Sequence, residues 1–161
     1  MSKIAPCLWF DGSALQAAEL YVSLFPDSRI GGVSRAPADN PSTPEGAVLT
    51  VEFTLAGQRF IGLNGGPGFP FTEAVSFMID CDDQAEVDRY WDALIDGGGS
   101  PGQCGWLKDR FGVSWQVVPK ALTELFGGSD RAGAARAMNA MLQMTKIDVA
   151  RLRDAYDGAP A

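Results

Sequence analysis

The stretch IAPCLWFDGSALQAAELYVSLFP, Ile4 to Pro26, decides how this chain folds. Ile4 to Phe10 has the apolar character of a buried strand, with Pro6 near its start, where a missing N–H is best tolerated. Asp11-Gly12-Ser13 turns the chain and offers a helix cap. Ala14, Ala17, Ala18, Tyr21, Leu24 and Phe25 then recur at helical spacing along one face, and Pro26 stops the helix. The plan returns further on. Ala74 to Cys81 reads as a strand, Asp82 or Asp83 as a cap, and Val87, Tyr90, Trp91 and Leu94 as one helix face ended by Gly97-Gly98-Gly99. Phe10 matches Ile79, Asp11 matches Asp80, Ala18 matches Val87 and Tyr21 matches Tyr90, each pair 69 residues apart. Several matches at one register on like elements indicate an internal duplication.

Each helix is followed by strands. In the first half a short strand near Arg29 to Arg35 leads into APADNPSTPEG, whose Pro37, Pro41 and Pro44 mark either a mobile segment or a flap over a cleft. Ala47 to Leu55 alternates, with Val51, Phe53 and Leu55 on one face and Thr50, Glu52 and Thr54 on the other. Ala56-Gly57 suits a two-residue hairpin turn into Gln58 to Asn64, pairing Leu55 with Gln58 and Glu52 with Ile61. The loop Asn64-Gly65-Gly66-Pro67-Gly68 closes this half, either as a plain turn or with backbone N–H groups free for an anion. In the second half Gln103 to Lys108 and Gly112 to Val118 form a hairpin around Asp109-Arg110-Phe111-Gly112. From Pro119 onward the chain is helical and outside the repeat. Its Met138, Met141, Leu142, Ile147, Leu152 and Tyr156 pack on the domain or a partner subunit, or alternatively grip a ligand. The expected layout is one domain over residues 1–161: module one at about 3–66, module two at about 72–119, and a helical extension over 120–157.

Composition removes several function classes. At 161 residues and 46% hydrophobic content the chain can bury a sizeable core. Thirteen Lys and Arg against 20 Asp and Glu give a net charge of −7, which opposes nucleic acid and anionic lipid as partners. Cys7, Cys81 and Cys104 are odd in number and widely spaced, so neither a disulfide framework nor a zinc knuckle is expected. No secretory signal pattern opens the sequence and no apolar run approaches the ~20 residues that span a bilayer, which makes the cytoplasm the expected location. Histidine is absent, removing imidazole as base, nucleophile partner or metal ligand.

Two βαβββ modules of this kind resemble the vicinal oxygen chelate superfamily of glyoxalases, bleomycin-resistance proteins and extradiol dioxygenases. PCLWFDG (Pro6 to Gly12), LNGGP (Leu63 to Pro67), QCGWLKDRFGVSWQVVP (Gln103 to Pro119) and AMLQMTKID (Ala140 to Asp148) resemble its PhnB-like branch, often labelled 3-demethylubiquinone-9 3-methyltransferase. The resemblance implies an α+β fold in which paired modules form a curved sheet cleft, with C-terminal helices added, and a homodimer. It also implies where metal ligands would stand: early on the first strand of each module and on the last strand. Those positions are Ala5, Ala74 and Gln116. Methyl groups cannot coordinate, and first-row divalent ions are normally gripped by imidazole, thiolate or carboxylate. No metal and no cofactor are expected.

If Ala5 and Ala74 face the cleft, strand parity takes Cys7, Trp9, Ser76 and Met78 with them, and Gln116 takes Ser114. Glu52, Ile61 and Asn64 complete the expected ligand cleft. Glu52 is its strongest acid–base candidate, as a half-buried carboxylate of raised pKa or, alternatively, as a wet partner of Arg59. Cys7 reads as a small hydrophobe, and Gln116 either as a cleft amide or as a stiffener of the sheet. Three functions stay open: a small-molecule-binding protein, a metal-independent isomerase or lyase using Glu52, and a methyltransferase. The last is disfavoured because no strand–Gly-x-Gly–helix unit is present.

Overall fold

Ala56 and Gly57 both adopt left-handed backbone (φ 46° and 81°), the geometry that matches a two-residue hairpin to the twist of its strands. That turn sets the register of the first sheet. Residues 3–159 are described by a computed structural model, which divides into two units, Met1–Phe71 and Thr72–Ala161.

Unit 1 runs β1 (Cys7–Phe10), α1 (Ala14–Leu24), β2 (Arg29–Arg35), β3 (Val48–Leu55) and β4 (Gln58–Asn64). Its sheet has the order β1-β4-β3-β2, with β1 parallel to β4 and the other pairs antiparallel. Glu52 stands opposite Ile61 and Leu55 opposite Gln58, as the hairpin turn requires. Leu8, Phe10, Val51, Phe53 and Leu55 are buried together with Ala14, Ala17, Ala18 and Tyr21 of α1. One face of the sheet is therefore core, and the other is open.

Unit 2 repeats the plan with β5 (Phe77–Cys81), α2 (Gln84–Ile95), β6 (Ser100–Pro101), β7 (Trp106–Lys108) and β8 (Ser114–Pro119), in the equivalent order β5-β8-β7-β6. Val87, Tyr90, Trp91 and Leu94 are the buried face of α2, packed with Ile79, Leu107, Trp115 and Val117. Three helices follow: α3 (Lys120–Gly127), α4 (Arg131–Met141) and α5 (Val149–Asp157). Leu122, Met144, Ile147 and Leu152 form their core.

The differences from the sequence reading have local causes. Both leading strands start late, β1 at Cys7 and β5 at Phe77, so Ala5 and Ala74 precede them rather than lie within them. The 69-residue offset holds for Phe10 and Ile79 and for Tyr21 and Tyr90, all buried, but Asp80 lies inside β5 whereas Asp11 is in a bend. The two-residue β6 has no periodicity to reveal it. The proline-rich segment is organised by its own side chains: Asn40 Oδ1 accepts from Ser42 N and Thr43 N at 3.0 Å, and Asp39 accepts from Glu45 N. In the extension, Met144 fills the core while Met138 and Leu142 are exposed. No helix among the described residues is long and apolar enough to cross a membrane.

Candidate functional site

Helix α1 begins without help from Ser13, whose side chain makes no capping bond. Asn64, at the end of β4, does that work: its Oδ1 accepts from Ala14 N at 2.9 Å, and its Nδ2 donates to the Val48 carbonyl at 3.0 Å. Asn64 is buried and faces the helix. This corrects its expected place in the ligand cleft: it lies an odd number of positions from Ile61, so pleating sends the two side chains to opposite faces. The adjoining glycines serve Trp9. Its indole N–H donates to the Gly66 carbonyl at 2.8 Å, and a Cβ at Gly65 would fall 2.2 Å from the indole ring. Phe69 stands edge-on to the same ring at 5.0 Å.

The open face of unit 1 thus carries Cys7, Ile61 and Glu52 in one row across β1, β4 and β3. Trp9, Leu63 and Thr50 form the next row. Glu52 accepts from Arg59 Nη2 at 3.1 Å, a diagonal pair across the hairpin, and its side chain is 52% exposed. Of the two sequence readings, its geometry is that of the wet partner of Arg59. Cys7 is exposed as a residue, yet desolvation of its sulfur raises the thiol above its ordinary value, so it stays protonated at neutral pH.

Unit 2 presents Met78, Gln116 and Trp106 in a row on the face away from α2, with Met78 60% exposed. Gln116 Nε2 donates to Ser76 Oγ at 2.9 Å. Lys108 stands opposite Ser114 in the next row. Beside them lies a cavity of about 180 Å³ bounded by Glu73, Ser100, Pro101, Gly102, Trp106, Leu107, Lys108 and Ser114. Lys108 pairs with Glu73, and that hydrogen bond is the main cause holding the Glu73 carboxyl below its usual value. The Ser114 hydroxyl is buried without any hydrogen-bond partner, a state that costs about 1–3 kcal/mol. Sequence reasoning found Ser114, Ser76 and Gln116 but missed Glu73, Trp106 and Lys108. The β7–β8 register, extended one pair either way from Leu107, would have placed the last two beside Gln116 and Ser114.

The residues where the superfamily's metal enzymes carry ligands do not suit a metal here. Ala5 and Ala74 offer methyl groups, and the Gln116 amide is neutral and bonded to Ser76. Among the described residues no three His, Cys, Asp or Glu side chains gather where they could hold a metal ion.

Residues 2–118 match the sequence profile of the family described as 3-demethylubiquinone-9 3-methyltransferase. That span ends before AMLQMTKID at Ala140 to Asp148, so the extension lies outside the match. Among solved structures, the chain is similar to the PhnB protein from Bacillus cereus at 34% identity and TM-score 0.66, covering 73% of this chain and 99% of that one. It is similar in fold to protein PA1353 from Pseudomonas aeruginosa at 22% identity and TM-score 0.59, covering 74% and 98%. A glyoxalase/bleomycin resistance protein from Albidiferax ferrireducens matches at 14% identity and TM-score 0.44, covering 74% and 99%. A search of curated proteins returned no match. By the match of its sequence over residues 2–118 and its likeness to the PhnB protein, the chain belongs to this 3-demethylubiquinone-9 3-methyltransferase family.

Proposed function

We propose that the chain is a small-molecule-binding protein that uses the open sheet faces of its modules without a first-row metal ion. The observation that carries this reading is the Gln116–Ser76 hydrogen bond, which engages the neutral amide that stands between Met78 and Trp106 in the sheet. Such a surface can orient a ligand through a few polar groups amid apolar area. The resemblance to bleomycin-resistance proteins points the same way. The family label does not transfer to the activity. Methyl transfer from the usual nucleotide cofactor needs a glycine turn leading from a strand into a helix, whereas Gly65 and Gly66 here close around Trp9.

A metal-independent isomerase or lyase is the second reading, supported by the position of Glu52 on the open face in line with Cys7 and Ile61. Its exposure and its bond to Arg59 favour binding over proton transfer. Glu52→Gln separates the two. We expect wild type and variant to retain the same ligands from a panel of small metabolites, with no turnover by either. Turnover in the wild type that disappears in the variant would instead establish the enzyme. Assembly as a homodimer and residence in the cytoplasm belong to the same proposal; light scattering at micromolar concentration should give twice the chain mass.

A further inference from the structure

The cavity of unit 2 is bordered by one cation, Lys108, one anion, Glu73, and two hydroxyls, those of exposed Ser100 and buried Ser114. Lys108 Nζ and Glu73 Oε1 hold each other, and their side chains are 40% and 62% exposed. Ion pairs this wet contribute little and exchange readily for partners of equal charge. The buried hydroxyl is in the opposite situation. Ser114 is 1% exposed and its Oγ has no partner, although the cavity lies against it. Lys108 is its direct neighbour across the β7–β8 ladder, so the lysine and the serine project side by side from the same face of the sheet.

We infer that this cavity takes a small zwitterion, whose carboxylate binds Lys108 Nζ and the Ser114 hydroxyl while its ammonium binds Glu73. The inference rests on the small-molecule-binding reading and names the ligand chemistry of one face. A simple anion drawn to Lys108 would strip Glu73 of its partner and then face it; a simple cation would do the reverse. Only a molecule with both charges replaces both halves of the pair and satisfies Ser114 as well. The net charge of −7 adds to the discrimination against free anions. A volume of about 180 Å³ has room for on the order of six water-sized groups, the scale of a short amino acid and far below a nucleotide. Trp106 and Pro101 supply an apolar wall for its carbon stem.

The test uses four probes built on one carbon count: the zwitterions L-2-aminobutyrate and 4-aminobutyrate, with butyrate and butylamine as singly charged controls. Titration of the full chain followed by amide chemical shifts should show saturable binding of at least one zwitterion. We expect it to be at least tenfold tighter than either control, with shifts centred on residues 106–108 and 114–116. Ser114→Ala should weaken it several-fold without lowering the melting temperature, and Glu73→Gln should abolish the preference over butyrate. Equal affinity for butyrate, or shifts centred elsewhere, overturns the inference. If neither zwitterion binds but indole still shifts Gln116 and Met78, the zwitterion site falls and the binding reading survives. If indole also leaves them unmoved, both fall.

Discussion

Asp109 is 3% exposed, and its carboxylate organises the turn that follows it. Oδ1 accepts from Phe111 N at 2.9 Å and Val113 N at 3.0 Å, and Oδ2 accepts from Trp115 Nε1 at 2.9 Å. Gly112 supplies the left-handed residue (φ 88°) that lets those N–H groups converge. Asp109→Ala removes the acceptor shared by these three donors, two of them buried, and should destabilise the protein by about 2–4 kcal/mol in urea unfolding. At this scale the sequence was partly legible. Asp-Arg-Phe-Gly announced a turn, but nothing in it announced that the aspartate would be buried against Trp115. Glu52 shows the same division: hairpin arithmetic placed it opposite Ile61, while its exposure depended on Arg59, a diagonal neighbour on the next strand. Asn64 is a third case: its side chain begins a helix 50 residues earlier, a bond between distant elements that no local pattern marks.

Helices were the most legible elements and short strands the least. Both buried faces of α1 and α2 follow directly from apolar spacing, whereas β6 rests on pairing with β7 alone. How an element is fastened is harder still to read. Lys146, in the link between α4 and α5, reaches Asp88 at 2.9 Å and Asp92 at 3.5 Å on α2. The Lys146 hydrogen bond is the leading cause that lowers the Asp88 carboxyl, with Gln84 next, and the bond to Asp88 leads in raising Lys146. A lowered carboxyl stabilises the fold above its unfolded value near 3.9 and loses that effect as pH falls through the folded value. A raised lysine stabilises fully below about 10.4 and loses it as pH rises through its folded value. The fastening should therefore act between about pH 4 and pH 10. The protection factors of amides at residues 144–149, taken relative to the intrinsic exchange rate at each pH, should fall below pH 4, and Lys146→Met should lower them at pH 7. The effect should stay below about 1 kcal/mol because the pair is solvent-screened.

For the molecule as a whole, the matched family segment ends at residue 118, yet unit 2 does not. Cys104 N and Gly105 N donate to the Met144 and Thr145 carbonyls at 2.8 and 2.7 Å, and Gln84 donates to the Ile147 carbonyl while accepting from Val149 N. Ile147 is fully buried among Leu122, Met144 and Leu152. Ile147→Ala should therefore cost about 2–4 kcal/mol in global unfolding, as a core position does, despite lying beyond the shared segment. If it costs less than 0.5 kcal/mol, the helical extension is an appendage. The duplication was visible in one sequence because it repeats within it; the order of the strands in each sheet and the attachment of the extension were not, the latter because it depends on main-chain carbonyls that no residue pattern marks.

The Gln84 bonds to residues 147 and 149 span most of unit 2. During synthesis, the strands and helix of unit 1 are complete once residue 71 has emerged, and every ladder they need is already available. At typical rates of about 5–20 residues per second, the stretch from residue 72 to residue 149 takes several seconds or longer. For most of that interval α2 has been made without the segment that satisfies Gln84 and covers Leu122. The second half thus waits for a segment made long after its first helix, and a chain nicked between α2 and residue 147 should keep a sound first half while its second half invites proteolysis.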